Sequence, residues 1–244
     1  LIYSLLGEPQ LKYPPPFFSI VALQLLLNLL KKNKIKQKIV RLQHILICCM
    51  ERFVIGIVDY NMGNLASIIN AFELIGADIR VEREPENLKI YKKLILPGVG
   101  AFGDAMEHLK ENEMDRAIVE YAKSGKPLLG ICLGMQLLFE SSQEFGEHRG
   151  LGVIEGHVVP FNKSKFDYKL KVPHMGWNEL FIQKESPIFR DLPREFYLYF
   201  VHSYHVECNS RYAIGETYYG YRFISAVQKE NIYGIQPHPE KSHN

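Results

Sequence analysis

The chain has 244 residues, 47% hydrophobic and 23% charged, an ordinary globular balance with room for one large α/β domain and an appendage. Residues 1–49 hold seven of the 29 Lys/Arg and one of the 27 Asp/Glu, so the rest carries 22 bases against 26 acids. The slightly acidic remainder excludes an electrostatic footing for nucleic acid. Four cysteines, Cys48, Cys49, Cys132 and Cys208, form no C-x-x-C pair, so neither a disulfide framework nor a zinc site is expected, and a reducing, cytoplasmic compartment is.

Residues 1–49 read as an N-terminal extension outside the fold, and residues 50–244 as one domain. Phe17 to Leu30 is a mostly apolar run of 14 residues, too short to span a bilayer comfortably. Its basic cluster (Lys31, Lys32, Lys34, Lys36, Lys38, Arg41) follows it, whereas a signal peptide carries charge in front. The chain begins with Leu1, and Met50 falls just before the first strand. Translated upstream sequence or an incidental extension is therefore expected for 1–49, with a membrane-surface helix as the rival. No membrane contact is expected of 50–244.

From Phe53 the pattern is regular. Phe53–Tyr60 reads as a buried parallel strand. Asn61–Asn64 is a turn, with Asn64 able to cap the helix marked by Leu65, Ile68, Ile69, Phe72 and Ile75. Gly76 stands where a helix stops. Asp78–Glu82 and Leu94–Leu96 read as further strands, Gly103–Ser124 as mostly helix ended by Gly125, and Pro127–Ile131 as another buried strand. Strands alternating with helices predict a mostly parallel central sheet flanked by helices. Ligands of such sheets bind beyond the carboxyl ends of the strands, where the Asn61–Asn64 turn, the Pro97–Gly103 loop and Cys132 should meet. After about Gly150, strand-like runs at Val153–Phe161, Glu179–Ile182, Tyr197–His202 and Phe223–Gln236 predict an added antiparallel sheet, with Lys229–Asn231 as a hairpin tip.

The chemistry centres on Gly130-Ile131-Cys132-Leu133-Gly134. Small residues around one nucleophile between a strand and a helix mark a nucleophile elbow, and a helix N-terminus favours a thiolate. A buried structural cysteine is the plain alternative. Near the far end, His238-Pro239-Glu240 offers a base and an acid, enough with Cys132 for acyl transfer through a thioester. An oxyanion hole is also needed. The backbone N–H of Leu133 is one candidate, and Pro97-Gly98-Val99-Gly100 holds the other, unless it is a plain β–α loop. His202-x-x-His205 has metal-ligand spacing, but in one strand the two rings would face opposite sides of the sheet, so no metal is expected.

Together these residues resemble the class I (triad-type) glutamine amidotransferases, most closely the family of glutaminase subunits of imidazole glycerol phosphate synthase. The resemblance runs from about Val54 to Ser242. Its motifs are I-G-I-V-D-Y-N-M-G-N-L (55–65), L-I-L-P-G-V-G-A-F-G-D-A-M (94–106), G-K-P-L-L-G-I-C-L-G-M-Q-L-L-F-E (125–140), V-P-H-M-G-W-N (172–178), Y-F-V-H-S-Y-H (199–205) and H-P-E-K-S (238–242). It implies a flavodoxin-like fold, no cofactor, and Cys132 as nucleophile with His238 as base and Glu240 as orienting acid. It further implies Gly98, Val99 and Gly100 with Leu133 as the oxyanion hole, and Gln136, His202, Ser203 and Tyr204 as the glutamine site. The implied partner is a (β/α)8-barrel cyclase in a heterodimer, receiving ammonia from glutamine, with His174–Asn178 either near that interface or in an aromatic core strand. Two departures stand out. The family carries a last helix after H-P-E-K-S that this sequence does not contain, and Pro237 stands where an aromatic is common. The rival readings are an amidotransferase of a surface-sugar pathway, a catalytically silent module and a free-standing cysteine hydrolase.

Overall fold

Four short apolar segments, each four residues long, form the heart of the molecule. The computed structural model describes residues 55–242; the expectations for residues 1–49, and for the start of the first strand, lie outside them. β1 (Ile55–Val58), β3 (Lys93–Leu96), β4 (Leu128–Ile131) and β13 (Ile232–Ile235) run parallel, with β2 (Ile79–Glu82) at the edge beside β1. Every residue of β1, β4 and β13 is buried, as expected of strands covered on both faces.

The helices supply that cover. α1 (Leu65–Leu74) is capped by the Asn64 side chain, which accepts the Ser67 N–H, and buries Ile68 and Phe72. Gly76 follows at φ 69°, the left-handed value that a glycine stop provides. The helix expected over Gly103–Ser124 is two helices, α2 (Phe102–Glu111) and α3 (Met114–Lys123), separated by Asn112 and Glu113, the latter at φ 55°. The break lets each helix set its own apolar face on the sheet: Phe102, Ala105, Met106 and Leu109 from α2, and Met114, Ile118, Tyr121 and Ala122 from α3. Burying each of the larger apolar side chains among these is worth about 1.5–3 kcal/mol, so these two faces carry much of the attachment.

Beyond β13 the sheet continues in mostly antiparallel form. β12 (Arg222–Lys229) pairs with β13 around the expected hairpin tip, where Glu230 takes φ 53°. β10 (Tyr204–Glu207) and β7 (Ile154–Pro160) follow. The parallel pairing of β7 with β5 (Phe139–Ser142) and the two-residue β6 (His148–Arg149) end the row. A branch leaves through β11 (Ala213–Tyr218) to β8 (His174–Ile182) and β9 (Glu195–His202). β8 begins five residues before the expected start at Glu179, because its register with β9 is unbroken from His174↔His202 to Phe181↔Glu195.

Candidate active site

β4 ends at Ile131, and the next residue, Cys132, takes φ 54° and ψ −112°, a backbone region that is costly for a residue with a side chain. The turn is held from both sides. Cys132 N–H donates to Ile235 C=O on β13, and the Cys132 carbonyl accepts the N–H groups of Met135 and Gln136. The helix that follows, α4 (Leu133–Leu137), has only five residues; the chain then turns directly into β5. Small residues make the turn possible. A Cβ on Gly134 would lie 1.9 Å from Leu96 C=O, and one on Gly130 would lie 2.6 Å from Gly134 C=O.

His238 arrives from the other direction. β13 delivers the chain past Gln236 and Pro237, and His238 N–H donates to Tyr199 C=O on β9 at 2.8 Å. Ser242 Oγ ties the segment further, accepting Tyr199 N–H and donating to His238 C=O. Pro239 opens a short 3₁₀ turn to Lys241, and that turn folds Glu240 back so that its Oε1 lies 2.7 Å from His238 Nδ1. Nε2 is then the ring nitrogen left for Cys132. Burial opposes charging of His238, but hydrogen bonding and charge interaction with Cys132 and Glu240 outweigh it and push its pKa up to about 9. A charged imidazole held beside a cysteine sulfur is the kind of neighbour that favours a reactive cysteine.

The Pro97–Gly100 segment passes directly over the helix start. A Cβ on Gly98 would meet Gly134 N at 2.8 Å and Leu133 Cβ at 2.9 Å, so Gly98 and Leu133 are neighbours. Gly100 takes φ 97° and Val99 is exposed. Buried Tyr60 donates to Pro97 C=O at 2.9 Å, and Glu144 Oε2 accepts Phe102 N–H at 2.7 Å. The loop is thereby pinned at both ends, while Val99 and Gly100 between them lie open.

The residues expected to hold glutamine divide. Gln136 Nε2 donates to Tyr204 C=O at 3.1 Å and to Gln236 Oε1 at 3.0 Å. Both of its N–H donors are engaged within the protein, so its carbonyl oxygen is what it can offer a substrate. His202 is turned inward. Its Nδ1 donates to Tyr204 C=O at 2.8 Å and its Nε2 lies 3.0 Å from His174 Nδ1. Burial first, then His174, holds its pKa well below the usual histidine value. Ser203 C=O accepts Phe161 N–H.

The argument that His202 and His205 face opposite sides is corrected. Ser203 interrupts the strand between β9 and β10, the alternation restarts, and both rings pack on Phe161, with centroids 5.2 and 5.0 Å away. Among the described residues no cluster of three or more His, Cys, Asp or Glu is placed to hold a metal ion.

Sequence reasoning passed over two contributors, Tyr60 and Gln236. The second could have been found from the pairing of β13 with β4.

The chain has similar relatives among known proteins. The family model for class-I glutamine amidotransferases matches residues 56–244. A relative from Sulfurimonas denitrificans, imidazole glycerol phosphate synthase subunit HisH, is 65% identical over 78% of this chain and 92% of its own length. The subunit of the same name from Wolinella succinogenes is 56% identical over 78% and 93%. Solved structures agree in fold. A glutamine amidotransferase superposes with TM-score 0.60 at 18% identity, covering 76% of this chain and 90% of its own. PurLQS from Thermotoga maritima gives 0.61 at 20% identity, covering 78% and 88%. The chain belongs to the class-I glutamine amidotransferase enzymes and, within them, to the family of imidazole glycerol phosphate synthase HisH subunits.

Proposed function

We propose that this chain hydrolyses glutamine to glutamate and ammonia at Cys132. The thiolate attacks the side-chain carbonyl carbon of glutamine, and the tetrahedral oxyanion is stabilised by N–H groups of Leu133 and the Gly98–Gly100 segment. His238 gives its proton to the departing ammonia, leaving a thioester. Neutral His238 then takes a proton from water, which attacks the thioester, and glutamate leaves as Cys132 regains its charge. The Glu240 carboxylate orients the ring throughout. The observation that carries this reading is the buried Cys132–His238–Glu240 contact at the ends of β4 and β13.

The ammonia passes to a (β/α)8-barrel cyclase subunit that makes imidazole glycerol phosphate in histidine biosynthesis, the two chains forming a heterodimer in the cytoplasm. The relatives' names support this, as each is a subunit of a synthase. So does the surface: Met175, Trp177 and Tyr197 are 61%, 46% and 59% exposed on the outer side of β8 and β9. An exposed aromatic and methionine patch of this kind suits a protein interface. His174 of the same strand is buried, so the His174–Asn178 stretch has an inner and an outer side. Among the described residues no helix is long and apolar enough to cross a membrane.

The test is glutamate release by the full chain, alone and with the cognate barrel subunit and its nucleotide substrate, with Cys132→Ala as control. Release that rises with the partner and vanishes in the variant is expected. Strong release without a partner points to a free-standing hydrolase, and none from a folded protein points to a silent module.

A further inference from the structure

β13 lies parallel to β4 with Gly234 opposite Gly130 and Ile235 opposite Ile131. The next residue on each strand is therefore Gln236 beside Cys132. Gln236 is 0% exposed, and its Nε2 donates toward Cys132 Sγ at 3.7 Å. A fully buried carboxamide must find partners for both its ends, and here the partners lie along a single line.

The polarity of that line is set at Tyr204. A backbone carbonyl only accepts, so Gln136 must present its NH2 end to Tyr204 C=O at 3.1 Å. The same nitrogen donates its second hydrogen to Gln236 Oε1 at 3.0 Å. Gln236 is thereby obliged to turn its own NH2 end toward the sulfur. Its backbone is fixed as well, since Gln236 N–H donates to Ser225 C=O at 2.9 Å.

We infer that Gln236 is a further member of the catalytic set, its side-chain N–H supporting the Cys132 thiolate, with its orientation fixed by Gln136 and the Tyr204 carbonyl. The inference concerns the nucleophile that the glutaminase reading uses, and only its kinetic consequence rests on that reading. A hydrogen bond donated to an anion favours the charged form. Removing it makes the thiolate harder to form.

The experiment is alkylation of the full chain by iodoacetamide between pH 5 and 10, followed at the Cys132 peptide by mass spectrometry. Gln236→Met keeps length and removes the donor, and it should move the midpoint of the alkylation profile up by about one pH unit, a tenfold effect. Gln236→Glu, which sets a carboxylate by the sulfur, should move it further. Gln136→Leu, which frees the Gln236 carboxamide to turn, should give a smaller shift in the same direction. In glutamine kinetics with the partner, kcat for Gln236→Met should fall about tenfold at unchanged KM. A folded Gln236→Met protein with the wild-type alkylation profile overturns the inference and leaves Gln236 as packing. Should Gln236→Met fail to fold, Gln236→Glu decides, and an unchanged or lowered midpoint overturns it. A shifted alkylation profile in a protein that releases no glutamate under any condition upholds Gln236 and refutes the proposed function.

Discussion

Glu240 Oε1 lies 2.7 Å from His238 Nδ1, and both side chains are 3% exposed although only Pro239 separates the residues. A carboxylate this close and this dry favours the imidazolium, which is the acid the departing ammonia needs. With the His238 pKa pushed up to about 9, glutaminase activity should hold through neutral pH and fall as pH rises through about 9. Glu240→Gln keeps the shape but removes the charge, so the alkaline limb should move to lower pH and kcat should drop by about 100-fold or more. A pH–rate profile for the two proteins checks both. An unmoved limb would mean that Glu240 does not set the proton affinity of His238.

The elbow is equally sensitive to one methyl group. A Cβ at Gly134 would sit 1.9 Å from Leu96 C=O, a backbone atom that cannot step aside. Gly134→Ala must push α4 off the end of β3, at a cost on the order of 1–3 kcal/mol or more. The thermal midpoint should fall by several degrees. The Cys132 alkylation rate should change as the turn shifts. Gly76→Ala is the contrast: nothing lies within 4 Å of its added Cβ and only the φ of 69° opposes it, so its loss should be of the order of 1 kcal/mol and leave Cys132 chemistry unchanged.

α2 starts without a side-chain cap of its own, since Ala101 occupies that position. Glu144, 42 residues further on, accepts Phe102 N–H at 2.7 Å instead. Glu144→Ala should destabilise the protein by about 1 kcal/mol, as loss of a helix cap does. Because the same contact holds one end of the Pro97–Gly100 segment, kcat should fall more than KM rises. Urea titration and glutamine kinetics on the same variant would show it, and a stability loss with unchanged kcat would confine Glu144 to capping.

Much of the parallel half was legible because short buried strands announce themselves as apolar runs between glycine and asparagine turns. Ile55–Val58, Ile79–Glu82 and Leu128–Ile131 all fall inside the runs expected. The break at Asn112–Glu113 was not, because an exposed left-handed glutamate leaves no mark in a helical pattern. Strands β5, β6, β10 and β11 were missed, and β8 was read too short, because half-buried strands such as His174–Ile182 mix His, Trp, Asn and Glu with apolar residues. The contact between His238 and Glu240 follows from their spacing in sequence. The meeting of Gln236 with Cys132 follows from strand register, which a single sequence shows only once the pairing is known.

The buried histidines of β8, β9 and β10 carry the opposite pH sensitivity to His238. His174, His202 and His205 are buried, and burial is the leading cause that lowers each of their pKa values, with His174 reaching about 4. Other charges near His205 act against each other, Glu207 raising its value and Lys165 lowering it. Since Nδ1 of His202 donates to Tyr204 C=O, its Nε2 accepts from His174 Nδ1–H, and that bond requires His202 to be neutral. Unfolded, each ring takes up a proton near pH 6.5; folded, each resists it. The unfolded state therefore binds more protons below about 6.5, and stability present above that pH is lost as pH falls toward about 4. The thermal midpoint should decline steadily between pH 7 and 4.5, and His202→Gln, which does not titrate, should flatten that decline even if it lowers the midpoint at pH 7. An equal acid-side slope in the variant would assign the loss to other groups.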